Sequence, residues 1–361
     1  MQKKISIDNL KYNFKQIRSF LSPNSKIMAV VKSNAYGHGI KNIAPCLEKL
    51  GVNFFGVSTP KEAFELQSLK STGNILILEP VLPEEYKLFL DKNILITISS
   101  IEEALALISI TTKYKKHINV HIKVDTGMSR CGAFPLEVKP ILEIFKKSSF
   151  SRVLGIFSHL ASSNRNDLAS FKAQNELFLN TVTNCKKSGN SFEEIHLSNT
   201  FGALHYPQSH YTMVRIGGAL YGALPFPPNL SPIDLKPVMS LSAKIVQIKT
   251  VPPNTGVGYD HRYITTKQTK IAIINAGYAR GIPYQRSLAG KVLINGEKRP
   301  IIGAVSMGLS IIELQNQDIV NVGDEVVIMG RQGKNSVTVY DIAKTTASLP
   351  YDILCKVGQQ T

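Results

Sequence analysis

Acidic side chains are scarce in these 361 residues: 26 Asp and Glu stand against 42 Lys and Arg, giving a formal charge of +16. Such an imbalance first suggests a nucleic-acid or anionic-membrane partner. Nucleic-acid binding, however, calls for lysines gathered with aromatics in one segment, whereas here they are spread along helix-like stretches at solvent-facing positions. No apolar run approaches the ~18 residues needed to span a bilayer. The opening MQKKISIDNLKYNFKQIRSF lacks the uninterrupted apolar core of a secretory signal. The four cysteines, Cys46, Cys131, Cys185 and Cys355, form no CxxC pair, which argues against a zinc site or a secreted disulfide framework. GxSxG, GxGxxG and Walker sequences are missing, and the histidines lack metal-ligand spacing. The expectation is a soluble cytoplasmic protein with no metal and with neither nucleic acid nor membrane as partner.

What is present is enough for a large core. The length is more than twice the ~150-residue prior for one domain, and 43% of the residues are apolar. From about residue 5 to residue 222, short β-branched runs alternate with longer stretches of helical period, the pattern of βα units around a parallel sheet. The runs are Ile27–Val31, Phe54–Val57, Ile75–Leu78, Ile94–Ile98, Ile118–Val124, Val153–Ser158, Glu194–Leu197 and Thr212–Arg215. Eight alternations predict a closed (β/α)8 barrel of the TIM type. Segments 60–71, 100–111 and 167–188 have lengths suited to crossover helices.

Ahead of the first run, Asp8 is a candidate cap for a helix with the apolar stripe Leu10, Phe14, Ile17 and Leu21. Five prolines between Pro225 and Pro237 forbid continued helix and mark a connection. Beyond Val238 the style changes to alternating strands (LSAKIVQIKTV, KIAIINAG, KVLING, PIIGAV, DEVVIMG) broken by Gly, Pro and Asn turns, with one short helix near 339–348. The predicted division is an α/β barrel over 1–230 and a mainly β domain over 231–361.

Reactive groups of such a barrel belong at the C-terminal ends of its strands. Lys32 follows the first run directly. On the fifth, Asn119, His121 and Lys123 alternate with apolar residues, so in a strand covered on both faces the polar side points into the barrel. A buried Lys123 must then be neutralised, paired or modified, and Asp125 and Arg130 stand close by in sequence. His159, His196, Asn199 and Thr200 end the next two runs. After the eighth, Arg215 precedes Gly217 and Gly218, where barrels of this type commonly hold a phosphate. A lysine facing a phosphate cradle is what pyridoxal phosphate requires: an amine for a Schiff base and an anchor.

The segments AVVKSNAYGHG, HIKVDTGMSRCG, FSHLASS, HLSNT, RIGGALYG, GVGYD and INAGYARG, in this order over essentially the whole chain, resemble the signatures of the alanine racemases, pyridoxal phosphate-dependent enzymes of fold type III. The resemblance implies interconversion of L- and D-alanine by two bases, supplying D-alanine for peptidoglycan. It makes Lys32 the cofactor lysine and base toward the D-enantiomer. Tyr259 would be the opposing base, delivered by the partner subunit of a homodimer. Tyr36, Thr200, Gly217, Gly218 and Tyr351 match the phosphate grip, Arg215 the pyridine-nitrogen partner, and His159 and Asn199 the remaining cofactor surroundings. Arg130 and the Met307 backbone match the substrate-carboxylate grip, and Lys123 a lysine that is often carbamylated.

Departures from the family pattern cluster on the approach to the site. GYARGIPY puts Arg280 and Tyr284 where GYADGYPR is usual, Ser306-Met307-Gly308 replaces CMD, and Asn164 stands where aspartate is common. Competing expectations are a racemase of broader amino-acid specificity and a catalytically silent pyridoxal phosphate-binding protein.

Overall fold

In the computed structural model, which describes residues 1–162, 167–226 and 228–359, the eight expected runs become eight parallel strands. After β1 (Gln2–Ile5) come β2 (Lys26–Val30), β3 (Phe54–Val57), β4 (Asn74–Pro80), β5 (Ile94–Ile98), β6 (Val120–Lys123), β7 (Val153–Phe157), β8 (Glu194–His196) and β9 (Met213–Ile216). They pair in the order β8-β7-β6-β5-β4-β3-β2-β9. Across the β8/β9 gap the Thr212 amide reaches the Ile195 carbonyl at 3.1 Å and the Arg215 amide the Ser198 carbonyl at 3.0 Å, nearly closing the barrel. Strand period 2 sends alternate side chains inward. Met28, Phe54, Leu76, Leu95, Phe157 and Met213 form a small separate core, and the larger core lies between strands and helices.

The helices are α1 (Ile7–Phe20), α2 (Lys32–Tyr36), α3 (Ile40–Lys49), α4 (Pro60–Ser68), α5 (Ile101–Tyr114), α6 (Val138–Lys146), α7 (Leu168–Lys187) and α8 (Thr200–His205). Leu10, Phe14 and Ile17 of α1 are buried as the stripe predicts, with Leu21 buried at its end. The cap, however, is Ser6, whose hydroxyl accepts from the Asn9 amide at 3.2 Å. Asp8 sits inside the first turn, where its charge complements the helix dipole without capping it.

The second domain is built from β10 (Met239–Val251), β11 (Gly256–Val257), β12 (Tyr263–Ile264), β13 (Thr269–Ile274), β14 (Lys291–Ile294), β15 (Glu297–Ile302), β16 (Ser310–Glu313), β17 (Glu325–Gln332) and β18 (Asn335–Val337), followed by α9 (Val339–Thr346) and α10 (Pro350–Gln359). Its main sheet runs β1-β10-β13-β16-β15-β14-β17-β18, with β10 also pairing to β17. Thus β1 joins this sheet, antiparallel to β10 from Gln2 opposite Ser242 to Ile5 opposite Met239. Four residues reading QKKI are too short to announce a strand by period alone. The closing helix α10 is a second departure from expectation. Ile353, Leu354 and Val357 bury its inner face at helical spacing. Among the described residues no helix is long and apolar enough to cross a membrane.

Candidate active site

At the C-terminal end of the barrel lies a cleft of about 280 Å³, near the small end of the range for small-molecule sites. Lys32 enters it from the turn after β2, and Glu79, at the end of β4, lies 3.5 Å from its amine. What aims Lys32 is unusual backbone. Ser33, Asn34, Ala35 and Tyr36 have φ between 52° and 55°, so α2 is a left-handed turn. For L-residues this costs roughly 1–2 kcal/mol each. Side chains hold it: Glu62 accepts from the Ser33 amide at 2.7 Å, and Asn34 accepts from the Ile40 amide at 2.8 Å.

The turn also brings Tyr36 beside Gly217. A Cβ on Gly217 would stand 2.5 Å from the Tyr36 hydroxyl, and one on Gly218 would stand 2.0 Å from the Tyr351 ring. Tyr36 packs on Tyr221 and, edge to face, on Tyr351 of α10, with centroids 5.1 and 5.7 Å apart. Burial pushes both the Tyr36 and Tyr351 phenols upward, so they remain donors at neutral pH. Neither hydroxyl makes a hydrogen bond among the described residues. Thr200, the first residue of α8, places its hydroxyl 3.4 Å from the Gly217 amide, and Asn199 caps α8 by accepting from Gly202 at 3.0 Å. Bare backbone, two unengaged phenols and a threonine around one hollow fit a phosphate group.

Arg215, buried at the end of β9, anchors the opposite wall. Its Nη1 donates to the Nδ1 of His196 at 2.9 Å and to the His196 carbonyl at 3.1 Å. Its Nη2 donates to the carbonyls of Ser158 (2.7 Å) and Leu197 (2.9 Å) and to the Nδ1 of His159 (3.0 Å). Burial lowers the guanidinium to about 9, still above neutrality, so it stays charged. Because arginine only donates, both histidines accept on Nδ1 and carry their protons on Nε2. The Nε2 of His196 in turn lies 3.0 Å from Nδ1 of His121, extending a one-way donor chain into the barrel. Burial and the Arg215 charge hold His196 and His159 well below the ordinary imidazole range, and push His121 down to about 3. The Nε–H of Arg215 is its one uncommitted donor among the described residues.

Lys123 is buried as the alternation of β6 predicts, 5% exposed, but Asp125 is not its partner. The Asp125 carboxylate instead accepts from the amides of Gly127 (2.9 Å), Met128 (2.9 Å) and Ser129 (3.1 Å), closing the turn that follows. Lys123 reaches the Cys131 sulfur at 2.8 Å and the Leu78 carbonyl at 3.4 Å. Arg130, on the same loop, lines the cleft.

Lys32, Tyr36, Lys123, Arg130, His159, Asn199, Thr200, Arg215, Gly217, Gly218 and Tyr351 therefore share one cleft. Tyr259 and Met307 do not. Both lie on the second domain, 68% and 63% exposed, on touching loops where Gly258 packs against Ala304 and Gly303 against Val257. Tyr278, Tyr284 and Leu309 are exposed in the same region, where Arg262 donates to the Tyr284 hydroxyl at 3.0 Å. Arg280 reaches the Asn275 carbonyl at 3.2 Å; Asn164 lies outside the described residues. Glu79 was missed in the sequence, although an acid directly after the apolar run NILIL carries the same signal as Lys32 after KIMAVV.

Two family models together match most of the chain: alanine racemase, N-terminal domain, over residues 5–225, and alanine racemase, C-terminal domain, over 238–361. An alanine racemase of Halothermothrix orenii is 36% identical over 99% of this chain and 94% of its own. One from Methanococcus maripaludis is 34% identical over 98% and 95%. Among solved structures, the alanine racemase of Clostridium difficile 630 in complex with cycloserine superposes with a TM-score of 0.90 at 29% identity, covering 98% of this chain and 92% of its own. That of Streptomyces coelicolor A3(2) does so at 0.93 and 27%, covering 100% and 96%. With the same two domains in the same order, and a barrel mouth furnished with the residues the family signatures carry, the chain belongs to the alanine racemase family.

Proposed function

We propose that this protein racemises alanine with pyridoxal 5'-phosphate, and that the D-alanine serves peptidoglycan synthesis in the cytoplasm. The observation that carries the reading is the cleft itself: a lysine amine on one side and, facing it, a glycine pair against the Tyr36 hydroxyl and the Tyr351 ring, with a buried arginine beside them. Lys32 would bond the cofactor. Tyr36, Tyr351, Thr200 and the Gly217–Gly218 backbone would hold its phosphate, and Arg215 would face its ring nitrogen, with His159 and Asn199 alongside. When bound, the cofactor supplies an electron-accepting ring that stabilises negative charge at the α-carbon.

Racemisation removes the α-proton from one face and returns a proton to the other, so two bases must flank one planar carbon. Lys32 is suited to the face toward the D-enantiomer. The second base is Tyr259. Its exposure, and its absence from the residues that line the Lys32 cleft, support its delivery to the cleft of a partner subunit. The exposed Tyr278, Tyr284, Met307 and Leu309 around it form an apolar region of the kind that marks an interface. Arg130 and the Met307 backbone would grip the substrate carboxylate. Arg215, charged and unable to release a proton near neutrality, would lend the ring nitrogen no proton, which would favour proton return over transamination.

The purified protein with pyridoxal phosphate should show visible absorbance that borohydride bleaches, and should exchange the α-proton of either alanine enantiomer in heavy water. Lys32→Ala should abolish the absorbance. Binding of cofactor without α-proton exchange would overturn the racemase reading, and persistence of the band in Lys32→Ala would move the cofactor lysine elsewhere.

A further inference from the structure

The end of the barrel opposite the cleft is where its strands begin, and each crossover helix returns there to finish. Three helices that lie side by side, α5, α6 and α7, each run out through a lysine pair: Lys115 with Lys116, Lys146 with Lys147, and Lys186 with Lys187. All six side chains are exposed. Their connections are stitched together at the strand starts. There the Ile118 amide donates to the Phe150 carbonyl at 3.2 Å, the Val120 amide to the Arg152 carbonyl at 2.9 Å, and the Glu193 amide to the Leu154 carbonyl at 2.8 Å. Lysines far apart in sequence thus crowd onto one sector of one face, with the exposed Arg152 among them.

Little in the sector neutralises this charge. Asp91 pairs with Lys116 at 3.3 Å and Glu143 with Lys146 at 2.7 Å, while Glu194 is committed to Lys26 at 2.7 Å. Lys115, Lys147, Arg152, Lys186 and Lys187 join no ion pair among the described residues. The partial negative charge at a helix C-terminus accounts for a cation in the last turn. A second one beside it adds repulsion, so the doubling of lysines at three successive helix ends is not explained by the helices themselves.

The kind of anion follows from the side chains. Lysines with a single arginine offer mobile point charges, not the planar forks that read individual phosphates. Single-stranded nucleic acid needs aromatic platforms for its bases, and of the phenyl and phenol rings in the sector only Tyr114 is exposed, Phe150 and Phe192 being half-buried. A duplex is read by a helix or ribbon lying in its groove, whereas these helices meet the surface by their ends. A blunt field of ammonium groups complements a plane of negative headgroups, which attracts polybasic clusters over a Debye length.

We propose that the strand-start end of the barrel is a peripheral docking surface for an anionic lipid bilayer, seating the protein with its cleft turned away from the lipid. A lack of long apolar helices among the described residues bears on spanning and not on docking, so the sequence-based expectation of no membrane partner is revised here. Nothing in this docking depends on the racemase chemistry.

At about 0.05 M salt the cofactor-loaded protein should sediment with vesicles of phosphatidylglycerol and phosphatidylcholine in equal parts, and stay in solution with phosphatidylcholine alone. Raising the salt to about 0.15 M should weaken the binding severalfold. Lys146→Gln, Lys147→Gln, Lys186→Gln and Lys187→Gln combined should lower partitioning about thirtyfold or more, whereas Lys249→Gln, Lys267→Gln, Lys298→Gln and Lys334→Gln combined, in the second domain, should lower it less than about threefold. Equal losses in the two variants would show that net charge alone is felt, and a wild type that ignores the anionic vesicles at low salt would leave the face without this partner; either result overturns the proposal. So does tighter binding of a DNA oligonucleotide, single- or double-stranded, that only the first variant loses, which would assign the face to nucleic acid. Should that variant not fold, Lys186→Gln with Lys187→Gln must still cut partitioning about fivefold or more, and a smaller loss counts against the proposal.

Discussion

Nη2 of Arg215 donates to Nδ1 of His159 at 3.0 Å while Nη1 donates to Nδ1 of His196 at 2.9 Å, so one buried guanidinium dictates the tautomers of two histidines, one just beyond β7 and one at the end of β8. Three backbone carbonyls from the ends of β7 and β8 also depend on it. Arg215→Ala should leave these acceptors buried and unsatisfied and lower stability by about 3 kcal/mol or more. Arg215→Lys should recover part of that loss. Urea denaturation of the cofactor-free protein would measure both, and a loss below about 1 kcal/mol in the alanine variant would show that the network relaxes.

The neutral histidine chain predicts an acid limb to stability. His121 is held at about 3 in the folded state, against about 6.5 in an unfolded chain. Between those values the unfolded state binds a proton that the native state refuses, so stability falls as pH drops from about 6.5 toward 3. His196 and His159, also lowered, act in the same direction. Denaturation midpoints should therefore decline from pH 7 to pH 5. His121→Asn, which can still accept from His196, should flatten that slope; an identical slope would place the effect elsewhere.

Gly218→Ala tests the phosphate cradle. With an added Cβ only 2.0 Å from the Tyr351 ring and 2.7 Å from the Ala223 carbonyl oxygen, both the ring and this stretch of backbone must shift, and the affinity for pyridoxal phosphate should drop on the order of tenfold or more. Equilibrium titration by absorbance would show it. Undiminished affinity would remove Tyr351 from the phosphate grip.

Delivery of Tyr259 across a dimer has a signature of its own. Lys32→Ala and Tyr259→Phe homodimers should each be inactive toward L-alanine, yet equal subunits remixed at random should regain about a quarter of wild-type activity. Half the dimers would be hybrids, each with one intact site out of two. No recovery on remixing would place both bases within one chain.

Net charge makes a last prediction. Alanine carries one ammonium and one carboxylate near neutrality, so the field of a +16 protein exerts no net long-range pull on it, and kcat/KM should change by less than about twofold as salt rises from about 0.01 to 0.15 M. A steep fall with salt would show that the surface charge steers the substrate after all.

The barrel was legible in the sequence because each of its strands carries a short β-branched run of its own, and β6 added an alternation that assigned Lys123 to the interior. The cap of α1 was misread because Ser6 and Asp8 are both good capping types two positions apart. Strand β1 and helix α10 escaped for another reason. Their partners lie at the far end of the chain, and neither a four-residue strand nor a final apolar stripe says what it will pack against. Family signatures located the cleft residues, while Glu79 and Cys131, which lie outside the roles those signatures assign, emerged only as contacts in space.

The chain's two ends meet at the turn after Lys32. The Lys3 amine donates to the carbonyls of Gly37 at 3.1 Å and Gly358 at 2.8 Å, and α10 packs so closely on Gly37 that a Cβ there would lie 2.4 Å from the Leu354 oxygen. A ribosome thus completes Lys32 and most of the barrel long before it makes Tyr351, and β1 must wait unpaired until β10 emerges. If Tyr351 grips the cofactor's phosphate as proposed, that grip cannot close before α10 has been made, well after the barrel strands and Lys32.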